Sequence, residues 1–323
     1  MKDAVGREIN YLRISVTDRC NFRCLYCMPE KGVEPKSHSD ILRFEEMVEF
    51  VRAVAPLGIT RIRVTGGEPL VRKGIPSFIR ELRNINGIRD ISITTNGSLL
   101  APIAADLKDA GLDRVNISLD TLKPERFRKI TRCGRLSDVL RGIESALETG
   151  LVPVKLNCVM VRGFNDDEIG DFIELTRSYP IYIRFIELMP LGEKGWSQGK
   201  YISAEEIKSS IKERLMPTGA PAGAGPAVYY RVPGAVGAVG FITPISRHFC
   251  DACNRVRLTA DGKLKPCLES DLEIDIKKAL REKKGEEELR SLFREAIMKK
   301  PVCHHMMPEE KSAHRRHMWQ IGG

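Results

Sequence analysis

Three cysteines near the start of the chain, Cys20, Cys24 and Cys27, stand in the spacing C-x3-C-x2-C. On one loop, three thiolates can ligate three irons of a four-iron cluster and leave the fourth iron without a protein ligand. An open coordination position is where a metal centre does chemistry instead of only holding a fold. Zinc is the other reading, but a structural zinc wants four ligands, and the nearest further candidate in sequence is His38. A second group, Cys250-Asp251-Ala252-Cys253, is followed after 13 residues by Cys267. It is again three, where a zinc ribbon would repeat C-x2-C. A second cluster with one open iron accounts for the missing ligand; zinc completed by Cys303, His304 or His305 is the alternative. Directly after Cys253 comes Asn254-Arg255-Val256-Arg257-Leu258-Thr259. Strand alternation puts Arg255 and Arg257 on one face, beside the second group. Two guanidiniums there suit a phosphate or a base edge.

The bulk composition narrows the setting. Hydrophobic residues make up 42% and charged residues 29% of 323, as expected of a globular chain with a real core. No run approaches the roughly 18 apolar residues that cross a bilayer, and no apolar stretch follows Met1-Lys2-Asp3 as in a signal peptide. The expected location is the cytoplasm, where clustered cysteines hold metal more often than they form disulfides. Nine cysteines, an odd number, also argue against a fully paired framework. The formal charge of +9 suits an anionic partner. Aromatic residues are 6% and are not interleaved with the basic ones, so a bound nucleotide fits better than a nucleic-acid polymer.

Alternating β-branched and amphipathic segments must position these groups. Strands are expected at Tyr11–Val16, Ile59–Thr65, Ile91–Thr95, Arg114–Leu119, Val154–Met160 and Tyr182–Ile186. Helices are expected at Phe44–Ala55, Ile75–Arg83 and Val139–Thr149, with capping boxes at Asn165/Glu168 and Ser203/Glu206. Such repetition implies an α/β fold with a parallel sheet, and six units fit an open, incomplete TIM-type barrel. Ligands then collect beyond the C-terminal strand ends, where Gly66-Gly67-Glu68-Pro69 and Asn116-Ile117-Ser118-Leu119-Asp120 also fall. Pro217–Pro226, rich in Gly, Ala and Pro, reads as a linker or long loop. The expected division is a barrel over 1–226 and a C-terminal region over 227–323, the latter with helices around Asp271–Arg281 and Glu286–Met298.

The N-terminal loop, with Tyr26 ahead of its last cysteine, resembles the defining motif of the radical S-adenosylmethionine enzymes. In that family the open iron chelates the methionine end of the cofactor, and one electron cleaves the sulfonium to a 5′-deoxyadenosyl radical. Gly66-Gly67-Glu68-Pro69 is similar to the family's methionine-binding segment, and Asn116–Asp120 to the stretch that holds ribose and carboxylate. Phe241–Leu268, Arg184–Pro190, Thr94–Gly97 and the terminal Gly322-Gly323 narrow the resemblance to the GTP 3′,8-cyclase family of molybdenum cofactor biosynthesis. The Gly/Ala-rich stretch before Pro226 and the tail Cys303–Met318 fit that family least.

The resemblance implies a partial barrel of the radical S-adenosylmethionine kind, with a C-terminal extension carrying the second cluster. It implies two four-iron clusters, one on Cys20, Cys24 and Cys27 and one on Cys250, Cys253 and Cys267. S-adenosylmethionine would meet Tyr26, Gly67, Ser118 and Met189. GTP would lie between the clusters, contacted by Arg13, Arg63, Thr94, Lys155, Arg184, Arg255, Val256 and Arg257. Abstraction of the ribose 3′ hydrogen and attack of the sugar radical on guanine C8 would follow. Arg13 would sit near the intermediate, and Gly322 and Gly323 would reach into the site. An electron donor and a downstream enzyme forming cyclic pyranopterin monophosphate are implied partners, for a monomer or homodimer with no nucleic-acid or membrane partner. A peptide-modifying radical enzyme and a zinc protein that binds RNA are the competing readings.

Overall fold

Six short runs rich in β-branched residues pair side by side in chain order: β1 Tyr11–Ser15, β2 Arg61–Thr65, β3 Asp90–Thr95, β4 Arg114–Ser118, β5 Val154–Met160 and β6 Ile181–Glu187. All five pairings are parallel, and the helices between the strands supply the crossovers such pairing requires. The computed structural model describes residues 1–34, 36–190, 199–223, 225–307 and 316–322.

Alternation along each strand separates two chemistries. Leu12, Ile14, Ile62, Val64, Ile93, Val115, Ile117, Leu156 and Phe185 join the hydrophobic core together with Phe50, Phe78, Leu107 and Phe172 from the helices. Burying each large apolar side chain contributes about 1.5–3 kcal/mol. The opposite face carries Arg13, Arg63, Thr94, Ser118, Asn157 and Arg184, which line a cavity. One face drives folding, and the other is left to function.

The chain beyond β6 extends both edges of this sheet. On one side β9 Ala238–Ile242 runs parallel to β6, followed outward by β8 Val228–Arg231 and β7 Met216–Pro217, both antiparallel. On the other, β10 Arg255–Leu258 runs parallel to β1, with β11 Lys263–Lys265 and β12 Ile274–Asp275 antiparallel beyond it. The result is an open, incomplete barrel wall of 12 strands. Strand edges present unpaired backbone groups, and the C-terminal region satisfies them on both sides.

Helices cover Phe44–Val54, Ile75–Arg83, Leu136–Glu148 and Glu286–Met298, in register with expectation. Phe293 of the last packs on Phe50 of the first, with ring centroids 6.3 Å apart. The Ser203/Glu206 capping box forms. The one at Asn165/Glu168 does not. The Asn165 amide donates to Asp120 O at 2.7 Å and Val159 O at 2.9 Å, and the Glu168 carboxylate accepts from Thr121 Oγ1 and Leu122 N at 2.7 Å each. Tertiary partners at the ends of β4 and β5 outcompete the local cap. The helix expected over Asp271–Arg281 covers only Ile276–Arg281, because Ile274 and Asp275 pair with β11, and Asp275 Oδ1 caps the start by accepting from Lys278 N at 3.0 Å. Among the described residues no helix is long and apolar enough to cross a membrane.

Candidate active site

The first cysteine group occupies the loop that leaves β1, clamped from two sides. Gly67 N donates to Thr17 O and Glu68 N to Arg19 O, both at 2.8 Å. A Cβ on Gly67 would stand 2.4 Å from Arg19 O, and one on Gly66 2.7 Å from Thr17 O. Those glycines therefore exist so that the end of β2 can lie against the cysteine loop. From the other side, Arg23 N and Leu25 N donate to Thr131 O and Ile130 O, and Arg132 Nη1 donates to Arg23 O at 2.8 Å and Met28 O at 2.9 Å. Glu68 is spent on structure: its carboxylate accepts from Leu70 N, Thr95 Oγ1 and Asn96 N, and burial pushes its pKa up to about 7.

The thiols of this loop are hard to ionise. Burial pushes Cys20 up to about 11 and Cys27 to about 12, and Cys24 rises well above the ordinary thiol range. Carboxylates add to this, Glu68 acting on Cys20 and Asp120 on Cys24 and Cys27. Tyr26 Oη donates to Asp120 Oδ2 at 2.6 Å, and burial raises Asp120 to about 6.

The second group is built on a 3-10 turn, Cys250–Ala252, and on the residues after β11. Its surroundings are cationic. Burial pushes the Cys253 thiol up, but Arg255 and Lys300 outweigh it and hold the group at about 7. Lys300 Nζ donates to Arg255 O at 2.8 Å and Pro266 O at 2.5 Å, and Arg7 Nη1 to Cys250 O at 3.0 Å. Arg255 lies over the Phe249 ring, 5.0 Å from its centroid.

Among the described residues, the set of three metal-type ligands drawn within 4.8 Å of one another is His248, Cys250 and His304; neither cysteine triad closes that tightly. A tetrahedral zinc with bonds of about 2.3 Å would pull its sulfurs to roughly 3.8 Å apart. A four-iron cluster is larger and its cysteines ligate separate irons, so it does not need the thiols to close on one ion.

Between the triads lies a cavity of about 490 Å³, within the size range of small-molecule sites. Parallel register sets Arg257 of β10, Arg13 of β1 and Arg63 of β2 in one row. Arg184 and Arg255 join the same wall. Burial and mutual repulsion lower Arg257 and Arg184 to about 10 and push Arg13 well below its ordinary value. Desolvated like charges cost stability unless an anion arrives. Thr94 Oγ1 and Asn157 Oδ1 are buried on this face without a hydrogen-bond partner, which leaves them for a ligand.

The structure brings Arg13, Cys20, Cys24, Tyr26, Cys27, Arg63, Gly67, Thr94, Ser118, Arg184, Met189, Arg255 and Arg257 to this one cavity. Cys250, Cys253 and Cys267 stand behind its wall, flanked by the lining residues Phe249, Ala252, Asn254 and Leu268. The Val256 side chain is fully buried in the core, on the strand face opposite Arg255 and Arg257, and does not reach the cavity. Lys155 is also absent from the lining. Its Nζ donates to Ala222 O at 2.7 Å and Gly223 O at 3.1 Å, and burial with Arg184 nearby lowers it to about 6. The stretch expected as a linker thus folds over Lys155, and its Gly225 and Pro226 line the cavity. The Gly322 carbonyl accepts from Arg257 Nη1 at 2.8 Å. Gly323 lies outside the described residues. Sequence reasoning missed Asn157, Trp319 and Lys300. Asn157 was findable as the polar residue two after Lys155 on β5; nothing local marks the other two.

Comparison with known proteins agrees with this geometry. A profile of the Radical SAM superfamily matches residues 14–176, and one described as Molybdenum Cofactor Synthesis C matches 181–306. Curated relatives named GTP 3′,8-cyclase include one from Moorella thermoacetica, 56% identical, and one from Heliobacterium modesticaldum, 52% identical, each aligned over 100% of both chains. The chain belongs to the GTP 3′,8-cyclase family. Outside the GTP 3′,8-cyclases, the solved structure of SuiB from Streptococcus suis bound to S-adenosylmethionine shares the fold, with TM-score 0.60 at 14% identity over 85% of this chain and 64% of that one. The open barrel wall is therefore that of the radical S-adenosylmethionine enzymes. The donor sets fit what a GTP 3′,8-cyclase carries, with three thiols for each of two clusters.

Proposed function

We propose that this cavity cyclises GTP to (8S)-3′,8-cyclo-7,8-dihydroguanosine 5′-triphosphate, the first step of molybdenum cofactor biosynthesis, in a radical S-adenosylmethionine reaction. When bound, the first cluster and S-adenosylmethionine supply one-electron cleavage of the sulfonium and with it a hydrogen-abstracting radical. The chain's own residues do the rest. Cys20, Cys24 and Cys27 would hold the first cluster, with Tyr26, Gly67, Ser118 and Met189 around the cofactor. Cys250, Cys253 and Cys267 would hold the second, toward the guanine. Arg13, Arg63, Thr94, Arg184, Arg255 and Arg257 would bind and orient the nucleotide, with Lys155 joining once it leaves Ala222 and Gly223.

The observation that carries this reading is the buried row Arg257–Arg13–Arg63 between the two thiol triads. A triphosphate supplies the several negative charges that such a row lacks, through charge-assisted hydrogen bonds. Gly322, and Gly323 after it, would bring a side-chain-free tail against the substrate. The reaction also needs a one-electron donor and hands its product to an enzyme that forms cyclic pyranopterin monophosphate. We place the enzyme in the cytoplasm as a monomer or homodimer.

Anaerobic reconstitution tests the reading. About eight irons per chain are expected from two four-iron clusters. With GTP, S-adenosylmethionine and a strong reductant, 5′-deoxyadenosine and a cyclised guanosine triphosphate should form together. Formation of 5′-deoxyadenosine with GTP left unchanged refutes the substrate. Zinc in place of iron, above all at His248, Cys250 and His304, refutes the chemistry.

A further inference from the structure

The last described segment, residues 316–322, enters the site as one short turn with a tie at each end. At the inner end, the Gly322 carbonyl accepts from Arg257. Gly322 has φ of 78°, and a Cβ there would stand 2.7 Å from Thr65 Cγ2, so only glycine fits. In the middle, Met318 and Trp319 line the cavity together with Cys27, whose thiol the Trp319 backbone amide helps to stabilise as thiolate. The same few residues thus touch the first thiol triad and the arginine row beside the second.

At the outer end stands Arg316. Its guanidinium meets Glu273 through Nε at 2.5 Å and Nη2 at 2.7 Å, and Asp261 through Nη1 at 3.0 and 3.1 Å. Its side chain is 14% exposed. Asp261 lies in the turn between β10 and β11, and Glu273 precedes β12, so both belong to the hairpins that carry Cys267. Lys36, from the segment after the first triad, also meets Asp261 at 2.5 Å, and Lys265 meets Glu273 at 3.3 Å. Both carboxylates therefore keep a cation if Arg316 is removed. The arginine is not needed to neutralise them. What only Arg316 does among the described residues is attach the tail to them by charge, and a bidentate fork fixes direction as well as distance.

We infer that Arg316 is a positioning residue for the reaction: it clasps Asp261 and Glu273 and so sets where Trp319 and Gly322 meet Cys27 and Arg257. This rests on the reading of the cavity as the GTP site. A seated tail has a consequence independent of turnover. Hydrogen bonds and nearby dipoles at cluster sulfurs help set reduction potential, and an amide N–H facing Cys27 favours the more negative, reduced state.

The test uses reconstituted full-length Arg316→Ala, Arg316→Lys and Glu273→Gln beside the parent enzyme. For Arg316→Ala, amide exchange over residues 318–322 should rise about tenfold or more as the turn opens locally. The first cluster, titrated without GTP, should become harder to reduce. Cyclised product per 5′-deoxyadenosine should fall roughly tenfold or more, since misplacement by about 1 Å has cost up to 10²-fold elsewhere. Arg316→Lys, which keeps charge but not the fork, should lie between, and Glu273→Gln should follow Arg316→Ala in direction. Exchange and potential unchanged in Arg316→Ala would overturn the inference. So would loss of second-cluster iron in both Arg316→Ala and Glu273→Gln, because the network would then be holding the hairpin instead of the tail. If the parent enzyme makes no cyclised product, the function is wrong, while exchange and potential still decide the clasp.

Discussion

Around Cys20, Cys24 and Cys27 the ionisable neighbours are mainly the carboxylates Glu68 and Asp120, whereas around Cys250, Cys253 and Cys267 they are the cations Arg7, Arg255, Arg257 and Lys300, with His248 and His304 beside Cys250. Arg23 is the exception at the first triad, and its guanidinium is spent on the carbonyls of Cys20 and Phe22. Both triads offer three thiols and differ in the field they sit in. Buried carboxylates favour a ligand with positive charge, as a sulfonium has, and clustered guanidiniums favour a polyanion. On the proposed reading, the same donor set is given two tasks by its surroundings.

The largest expected effects break the symmetry of the triads directly. Cys24→Ser should abolish 5′-deoxyadenosine formation, a loss on the order of 10³-fold or more, since the cofactor carries that chemistry. Cys253→Ser should keep S-adenosylmethionine cleavage and lose cyclised product. Quantifying both nucleosides checks this; equal loss of cleavage in the two variants would end the division of tasks. Next come the cations. Arg255→Ala and Arg257→Ala should each weaken GTP binding by roughly 10- to 100-fold, the worth of a charged hydrogen bond, with first-cluster iron unchanged. An unaltered GTP dissociation constant would remove the arginine row from the substrate site.

A smaller effect sharpens the electrostatics. Lys155 titrates near 6 in the free protein against 10.5 ordinarily, so above about pH 6 it is mostly neutral. A polyanion raises that pKa. Between the two values GTP binding should take up as much as one proton, and affinity should fall as pH rises. Calorimetry in buffers of different ionisation enthalpy measures this, and Lys155→Met should abolish the uptake. The smallest effect is at the first triad. Tyr26→Phe removes one donor from Asp120 and should raise the KM for S-adenosylmethionine about fivefold, the worth of about 1 kcal/mol. A change in GTP affinity instead would place Tyr26 on the wrong ligand.

Features that depend on neighbours in the chain were legible without coordinates. The six parallel strands follow from runs of alternating chemistry, and each triad from spacing that fits one loop or hairpin. The capping box at Ser203 is equally local, whereas Asn165 and Glu168 carry the same signature and are claimed by Asp120 and Thr121 from another part of the chain. That the Val256 side chain turns to the core follows from the alternation of faces along its strand. Lys155 was legible as a cation on β5, but nothing in Pro217–Pro226 announces that its carbonyls will cover that amine.

The sequence by itself determined which chemistry is available: two sets of three thiols, an excess of cations, and strands with one polar face. Residue type and short spacing are enough for that, since thiolate, guanidinium and alternation act locally. Tertiary structure decided where the charges meet. Arg13 and Arg63 become neighbours of Arg257 only because β10 returns to pair with β1 in matching register, and the C-terminal turn meets Arg257 and the cavity from a segment whose Arg316 pairs with Asp261 and Glu273. Those encounters depend on closing long loops against chain entropy, a balance set by the whole core and not by any short run of residues.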